Sequence, residues 1–269
     1  MLGWILWPAG VLLGLIGLAY IGVPAVVRAV FRKQRVNLVP IEEHDLPPAV
    51  QAYLRQSGDQ LRGLGFEEVG WFADRDEAAS QTSHCVVLAR PAERVLAMAA
   101  VVVSEQPPGD RLGAGMVELS SDFEDGHNLC TSNSDEILFP ARTRPHRTTV
   151  QVPWCASVAE LVETHLRLSA WVAAARETAL APVAPGDPYR VPTRMQAAEH
   201  VRAAVTRDFD LYVERGYMRA ENRQGSDRFR LTWKGAYLLT WRQQWPITPL
   251  LRRRRARRVR ELLQRISSP

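Results

Sequence analysis

The distribution of hydrophobic and polar positions divides this chain into one unbroken apolar stretch, a region of short alternating runs and several amphipathic segments. The first 27 residues contain no Asp, Glu, Lys, Arg or His, so the stretch from Leu2 to Val27 is hydrophobic on every side. At about 1.5 Å of rise per residue, a helix of this length crosses the ~30 Å hydrocarbon layer of a bilayer. The pattern predicts a single N-terminal transmembrane helix.

Basic residues flank only the C-terminal end of this predicted span. They are Arg28, Arg32, Lys33 and Arg35. Since Lys and Arg are retained on the cytoplasmic side, we expect a single-pass membrane protein whose N-terminus lies outside and whose bulk is cytoplasmic.

Glycines recur along one side of the predicted span. Gly3, Gly10, Gly14 and Gly17 fall in a narrow stripe at ~100° per residue, and Gly10 and Gly14 have the spacing that lets two spans approach closely. We interpret these four glycines as packing residues of a homodimer formed through the span. The alternative is a monomeric anchor, because glycine is frequent in spanning helices generally.

After a proline-containing tether, the periodicity changes from helical to strand-like. Apolar residues on one face predict a helix from Ala49 to Leu64. Short β-branched or alternating runs then predict strands at Phe66–Phe72, His84–Ala89, Val95–Val103, Leu112–Phe123, Asn128–Thr131 and Arg147–Val152. Asp125 and Gly126 predict a hairpin turn. Because the connections look too short for a crossover helix, we expect an antiparallel β-meander, covered on one face by a helix that begins at Ser157 with a capping box.

The last third of the chain predicts a helix, a hairpin and two more helices. The predicted elements are a capped helix at 193–214, a hairpin at 217–233, a helix at 235–245 and a strongly basic helix at 250–266. The fold class predicted from these patterns is α+β. The predicted division is a transmembrane anchor at 1–30, a juxtamembrane tether at 31–48, an acidic α+β domain at 49–180, a proline-rich linker at 181–192 and a basic helical and hairpin domain at 193–269.

The net charge of +5 conceals two electrostatically different regions. Residues 36–188 contain 11 Arg against 22 Asp and Glu, a net charge of −11, whereas residues 189–269 contain 19 Lys and Arg against 7 Asp and Glu, a net charge of +12. This division indicates that the C-terminal region meets an anionic partner, which the composition leaves open as lipid headgroups, nucleic acid or the acidic middle region of the same or another copy of the chain.

Residues with catalytic or metal-binding chemistry do not form a recognisable motif. The sequence contains neither kind of glycine-rich phosphate loop and no Cys-x-x-Cys pair, so we expect no cofactor, no metal and, on balance, no enzyme. His127 and Cys130 lie near Asp122 and Asp125, but their spacing is not that of a zinc site. His165 falls on an apolar helix face, which favours a hydrogen-bonded core residue over a catalytic base. The odd number of cysteines suits a reducing compartment.

The most distinctive feature outside the span is an arginine-rich helix near the C-terminus. Its basic residues are Arg252, Arg253, Arg254, Arg255, Arg257, Arg258 and Arg260. Leu251, Val259, Leu262 and Ile266 form a thin apolar stripe beside them, a composition typical of helices that lie on anionic membranes. The alternative is a solvated basic tail. We expect this helix to bind anionic lipid or an acidic partner.

A second class of function is suggested by a short resemblance. The run from Phe229 to Gly235, which follows a helix and an arginine-rich turn, resembles the strand-to-helix passage after the wing of winged-helix DNA-binding proteins. The resemblance implies phosphate contacts by Arg202, Arg207, Arg219, Arg223 and Arg228. Such domains normally pack three helices ahead of the wing, and this sequence predicts one. The sequence therefore favours a membrane-anchored binding or scaffold protein, with nucleic-acid binding and an enzyme as the weaker alternatives.

Overall fold

The chain has an α+β fold with a large mixed sheet, a small sheet and several helices. The computed structural model describes residues 7, 10, 11, 14, 15, 17–34, 36–76, 80–104, 111–113, 115–134, 146–155, 157–180, 193–221, 228–243 and 247–267. The predicted α+β class is confirmed.

Helices and strands are numbered separately, each in chain order. The helices are α1 (Val23–Val30), α2 (Pro48–Gly63), α3 (Val158–Arg176), α4 (Arg194–Glu214), α5 (Trp233–Gln243) and α6 (Ile247–Ser267). The strands are β1 (Arg32–Gln34), β2 (Val39–Ile41), β3 (Glu67–Asp76), β4 (Gln81–Arg90), β5 (Val95–Ser104), β6 (Arg111–Leu112), β7 (Met116–Asp122), β8 (Asn128–Ser132), β9 (Arg147–Gln151), β10 (Met218–Ala220) and β11 (Arg228–Leu231). The region predicted as a tether, 31–48, contributes β1 and β2.

The large sheet has the strand order β2-β3-β4-β5-β7-β8-β9, with β6 paired to the end of β5. The pairs from β2 to β8 are antiparallel, as the meander prediction requires. The predicted turn at Asp125 and Gly126 is also confirmed, because Gly126 has a φ of +77° and its N–H donates to the Phe123 carbonyl. Glycine tolerates this left-handed conformation, so the turn reverses the chain without strain.

The prediction of a purely antiparallel meander is wrong at the last strand. β9 pairs with β8 in parallel, so Asn128 lies opposite Arg147 and Ser132 opposite Gln151. The chain between Ser132 and Arg147 is long enough to return to the start of β8, which a tight hairpin cannot do. The connection itself, residues 135–145, lies outside the described residues.

One face of the large sheet packs against α2, α3 and the end of α6. This core includes buried Leu54 of α2, Leu88 and Leu119 of the sheet, and Leu161 of α3. The predicted start of this helix at Ser157 is confirmed, since the Ser157 side chain caps α3 by accepting a hydrogen bond from the Glu160 N–H at 3.1 Å. The prediction that this helix covers one face of the sheet is confirmed.

The opposite face of the sheet is covered by the first half of α4. Ala197 and Ala198 pack there against Phe72 and Val87. The second half of α4 belongs to a different cluster, in which Phe209 contacts Phe229 of β11 with ring centroids 5.3 Å apart. A single helix thus forms part of two cores, and it joins the acidic and basic regions into one packed body.

The small sheet has the strand order β1-β11-β10. β1 comes from the N-terminal region and pairs antiparallel with the central strand β11 of the C-terminal hairpin. Val27 and Phe31 pack against the same cluster as Phe229 and Leu239. The segment α1–β1 and the C-terminal hairpin therefore share one sheet and one core, which the sequence patterns did not predict.

The described N-terminal residues are helical, with a π-helical turn at Leu18–Gly22 that leads into α1. Among the residues that the structure describes, no helix is both long enough and apolar enough to cross a membrane. The predicted span from Leu2 to Val27 includes residues 2–6, 8, 9, 12, 13 and 16, which lie outside the described residues, and Gly3 is among them.

Replacing Gly235 with Ala should destabilise the C-terminal core. A Cβ atom at this position of α5 would lie 2.0 Å from the Tyr217 carbonyl oxygen, so backbone must move to admit it. Overpacking of this kind costs about 1–3 kcal/mol. We expect Gly235→Ala to lower the thermal unfolding midpoint of the purified protein.

Gly63→Ala is the matched control, because a Cβ atom there meets nothing within 4 Å and the position is in helix α2. It should leave the midpoint unchanged or raise it, since Ala favours helix over Gly by up to about 1 kcal/mol. Equal midpoints for both variants would contradict the close approach at Gly235.

Candidate membrane-facing basic surfaces

The arginines predicted to bind an anionic surface lie on the outer side of α6. Arg252, Arg253, Arg254, Arg257, Arg258 and Arg260 are exposed, and Arg255 is half-buried. Within the part of the chain that the structure describes, Arg253, Arg254 and Arg258 make no hydrogen bond or ion pair. Arg257, in contrast, pairs with Glu261 at 2.8 Å. The helix therefore presents several unneutralised guanidinium groups to solvent.

The apolar side of α6 is occupied by the protein itself. Val259, Leu262, Leu263 and Ile266 pack against the core beneath α3. Arg255 donates to the Gln151 side chain at the end of β9, and the Arg260 guanidinium lies 4.9 Å from the centre of the Trp154 ring. Val259, Leu262 and Ile266 of the predicted apolar stripe thus attach the helix to the body, and the arginine side is left for a partner.

A second basic surface lies on the small sheet, which we call the arginine ladder. Arg32, Arg230 and Arg219 are direct neighbours across β1, β11 and β10, and opposed residues on adjacent strands share a face. Arg228 lies beside Arg230 in the same strand, two residues away and hence on the same face. The ladder therefore places four arginines together on a sheet of only three short strands.

Like charges on directly opposed residues destabilise a sheet. In the arginine ladder, Glu221 neutralises Arg32, because its carboxylate lies 2.6 Å from the Arg32 Nε. Arg219 and Arg230 have no ion-pair partner in the described chain, and the buried Nε of Arg230 makes no hydrogen bond. An anion bound at this surface would offset the remaining repulsion.

The sequence patterns predicted only part of this surface as a binding site. Arg219 and Arg228, two of the proposed phosphate contacts, belong to the ladder, whereas Arg32 was read only as a charge flanking the span. Arg202 and Arg207 lie instead on α4, where Arg202 pairs with Glu199, and Arg223 lies outside the described residues. The ladder was missed because β1 and β11 are far apart in the sequence, and no local pattern indicates their pairing.

A buried ionic trio fixes α4 on the large sheet. Arg147 of β9 lies 2.9 Å from Glu118 of β7 and 3.1 Å from Asp208 of α4. Burial alone would lower the pKa of Arg147, but the two carboxylates raise it, so the guanidinium remains charged. Each partner has at most about a quarter of its side chain exposed, which marks this group as a structural clamp.

The candidate histidines hold structural positions. His165 is fully buried between α3 and the sheet, and its ring nitrogens lie 3.0 Å from the Ser121 hydroxyl and 2.9 Å from the Thr131 hydroxyl. Burial lowers the pKa of His165 to about 3, so the ring is neutral near pH 7. His127 contacts the Thr148 hydroxyl at 2.9 Å, beside the hairpin turn.

The candidate metal ligands are not gathered into a site. Asp125 pairs with Arg176, Asp122 accepts from Asn128, and Cys130 is buried on the sheet. Across the described residues, no three His, Cys, Asp or Glu side chains lie close enough to hold a metal ion.

Two clefts border α4. The cleft between the sheet and α4, beside Arg147, measures ≈ 60 Å³, which is room for about two water molecules. A wider, open cleft of ≈ 770 Å³ lies between α4 and the chain that follows β1. Its described lining has Glu199 as its one carboxylate and Thr206 as its one hydroxyl, and it contains no histidine or cysteine.

The packing glycines that the structure describes lie on an open side of the N-terminal helix. A Cβ atom at Gly10, Gly14 or Gly17 would meet nothing within 4 Å. No described part of the chain covers this stripe.

Stability should fall as the pH drops below 6.5 because of His165. The unfolded state gains a proton near pH 6.5, whereas the folded state resists protonation down to about pH 3. The stabilisation is therefore fully present above pH 6.5 and is lost towards pH 3, by up to about 1.4 kcal/mol per pH unit. Thermal unfolding midpoints of the purified protein, measured from about one pH unit above the unfolded-state pKa to about two and a half units below it, test this loss.

His165→Gln should flatten this dependence, because glutamine retains hydrogen bonding without titrating. His44→Gln is the control, since the His44 side chain is 81% exposed and should not contribute. A His165→Gln profile as steep as that of the unmodified protein would refute the assignment.

No protein-family model, no curated protein and no solved structure matches this chain.

Proposed function

We propose that this chain is a single-pass membrane protein whose N-terminus lies outside and whose cytoplasmic body is held on anionic lipid by the arginine side of α6. In this position it serves as a binding or scaffold protein of the membrane surface. The observation that carries the proposal is the set of exposed arginines without partners, Arg253, Arg254 and Arg258, on a helix whose other side is fixed in the core. A helix held in this way presents its charge without having to fold on the membrane first.

The apolar side chains that the N-terminal helix exposes support the proposal that it is a membrane anchor. Trp7 is 77% exposed, Leu15 58%, Leu18 65% and Ile21 62%. Exposed apolar side chains in such number are unfavourable in water, at roughly 25 cal/mol per Å² of apolar surface, and favourable in hydrocarbon. The absence of charge through Val27 points in the same direction.

The strength of the lipid contact follows from the number of charges. At about 1 kcal/mol for each basic residue near an anionic leaflet, three arginines change the docking equilibrium by about two orders of magnitude. Attachment through the anchor keeps the body at high local concentration near the bilayer, so this modest energy is sufficient. The arginine ladder, which follows α1 directly, adds further positive charge beside the anchor.

A nucleic-acid function is the second candidate. The sequence predicted only one helix ahead of the winged-helix-like hairpin, and in the structure α1 adds a second helix while β1 adds a strand to the hairpin. The paired Glu199 and Arg202 on the outer side of α4 make that helix a poorer reader of DNA, since phosphate contacts need unneutralised cations. The exposed arginines of α6 would also fit an acidic protein surface, which is a third candidate partner.

Docking can be measured by energy transfer from the body to labelled lipid in nanodiscs that contain the full-length protein. The donor is placed at Trp171→Cys, an exposed position of α3, in a Cys155→Ser background. Cys85 and Cys130 stay unlabelled because they are buried, and burial raises the pKa of Cys85 to about 12. We expect higher transfer with anionic than with zwitterionic lipid, and a loss of this difference in 1 M salt.

Arg253→Gln, Arg254→Gln and Arg258→Gln together should abolish the difference between the two lipids. The control with the same change of charge is Arg55→Gln, Arg167→Gln and Arg176→Gln, three exposed arginines that are ion-paired on the acidic body. Equal transfer in both lipids before substitution would refute docking. Binding of labelled duplex DNA with a steep salt dependence, and no preference for anionic lipid, would support the second candidate instead.

We also propose that two copies pack through the glycine stripe of the anchor. Gly10→Ile with Gly14→Ile should reduce the dimer fraction seen by single-molecule photobleaching in nanodiscs, because the larger side chains prevent close approach of two helices. Leu15→Ile, on another side of the same helix, is the control and should leave the dimer intact. A purely monomeric unmodified protein would contradict the proposal.

A further inference from the structure

The arginine ladder is part of a grid of six side chains on one face of the small sheet. The strand register gives the grid two rows across β10, β11 and β1, and the Glu221 N–H, which donates to the Arg228 carbonyl, extends the second row to the end of β10. One row is Arg219, Arg230 and Arg32, and the other is Glu221, Arg228 and Gln34. At the usual spacing of strands and residues, the grid measures about 10 Å by 7 Å.

The grid points away from the small core. The alternate residues of the same strands, Met218, Phe229 and Leu231, are buried in the core that α1, α4 and α5 complete, so these three helices lie on the opposite face of the sheet. Arg219 and Arg228 are exposed. The grid is therefore open to a ligand from solvent.

An anion already occupies part of this face. The Glu221 carboxylate lies 2.6 Å from the Arg32 Nε, and because these two residues belong to the strands on either side of β11, their ion pair passes over the centre of the grid. Arg32 is also held by the carbonyl of Ala29, to which it donates at 2.5 Å. Arg230, at the centre, keeps a buried Nε without a hydrogen bond. The face thus binds one carboxylate and retains donors for a further anion.

The excess charge indicates which anion fits. Four arginines and one glutamate give the grid a net charge of +3. A phosphate group carries roughly 1.5–2 negative charges and has several acceptor oxygens, which guanidinium groups bind in pairs of parallel hydrogen bonds. Two adjacent phosphate groups therefore match the excess charge, whereas one carboxylate does not.

The remaining chemistry of the grid favours a small soluble ligand over a macromolecule or a membrane. No member of the grid is aromatic, so a nucleic-acid base has nothing to stack on, and the area is too small for the 6–10 or so phosphate contacts of a duplex-binding protein. No member is apolar, so the face offers no hydrophobic contact to a bilayer. Recognition at this face depends on the phosphate groups alone.

We propose that the arginine ladder binds a soluble ligand that carries two or more adjacent phosphate groups, and that Glu221 competes with this ligand for the same guanidinium groups. The phosphates lie over Arg230, between Arg219 and Arg32. This binding depends neither on the proposed anchor nor on the lipid contact of α6, because the ladder is formed by other elements. A bound ligand also links β1 to the C-terminal hairpin and should raise the thermal unfolding midpoint.

Titration calorimetry of the purified full-length protein with inorganic triphosphate tests the site. We expect triphosphate to bind at least about tenfold more tightly than orthophosphate or citrate, since two adjacent phosphates engage more guanidinium groups than one phosphate or a set of carboxylates. Arg219→Gln with Arg230→Gln should weaken triphosphate binding by about 100-fold, at roughly tenfold for each charged hydrogen-bond donor. Glu221→Gln should tighten it several-fold, which a folding defect cannot produce.

The matched control is Arg253→Gln with Arg254→Gln, which removes the same charge from α6 and should leave triphosphate affinity unchanged. Equal losses in the control and in the Arg219 and Arg230 variant, or no gain from Glu221→Gln, would overturn the site. Equal affinity for citrate and triphosphate would overturn the phosphate assignment. Binding of phosphoinositide vesicles or duplex DNA through Arg219 and Arg230, without triphosphate binding, would overturn the soluble ligand. Failure of the protein to dock on anionic nanodiscs, with triphosphate binding intact, would refute the lipid contact of α6 and support the independence of this site.

Discussion

The pairing of β1 with β11 is the constraint on which the positions of the other functional elements depend. Three residue pairs, from Arg32 opposite Arg230 to Gln34 opposite Arg228, attach the end of α1 to the C-terminal hairpin. This attachment brings α5 against α1, assembles the arginine ladder and determines which side of the N-terminal helix remains exposed. Lys33 then connects the small sheet to the large one, because its ammonium lies 3.0 Å from the buried Asp76 carboxylate. Val27 and Phe31 add to this attachment by packing against Phe229 and Leu239.

The helix α4 explains how an acidic and a basic region form one body. Its first half buries alanines against the large sheet, and its second half supplies aromatic residues to the small core. Ion pairs link the two regions, among them Arg194 with Glu42 at 2.6 Å and Arg147 with Asp208 at 3.1 Å. The second of these also fixes the register of α4, since a shift along the sheet would leave a buried charge without its partner. Part of the charge asymmetry in the sequence is thus satisfied within the molecule, and the exposed side of α6 carries charge that is not.

Local patterns were sufficient to predict most elements of this fold. The N-cap at Ser157, the capping box at Thr193, the turn at Gly126 and the alternation along β7 each depend on neighbouring residues, and each is present in the structure. The parallel strand β9, the packing of α4 on the second face of the sheet and the joining of β1 to β11 depend on contacts between distant residues, and a single sequence contains no periodicity that reports them. The same distinction applies to the candidate surfaces. The arginines of α6 are consecutive and were predicted, whereas the ladder is assembled from three separate strands and was not.

The long separation of β1 and β11 along the chain also affects biogenesis. A ribosome completes β1 well before β11, the strand that pairs with it. Throughout that interval the nascent chain carries an unpaired strand edge together with the apolar side chains of Val27 and Phe31, which later pack against Phe229 and Leu239. A chain that terminates before Arg228 retains this exposed edge permanently. Such a product presents the kind of surface that chaperones and proteases recognise.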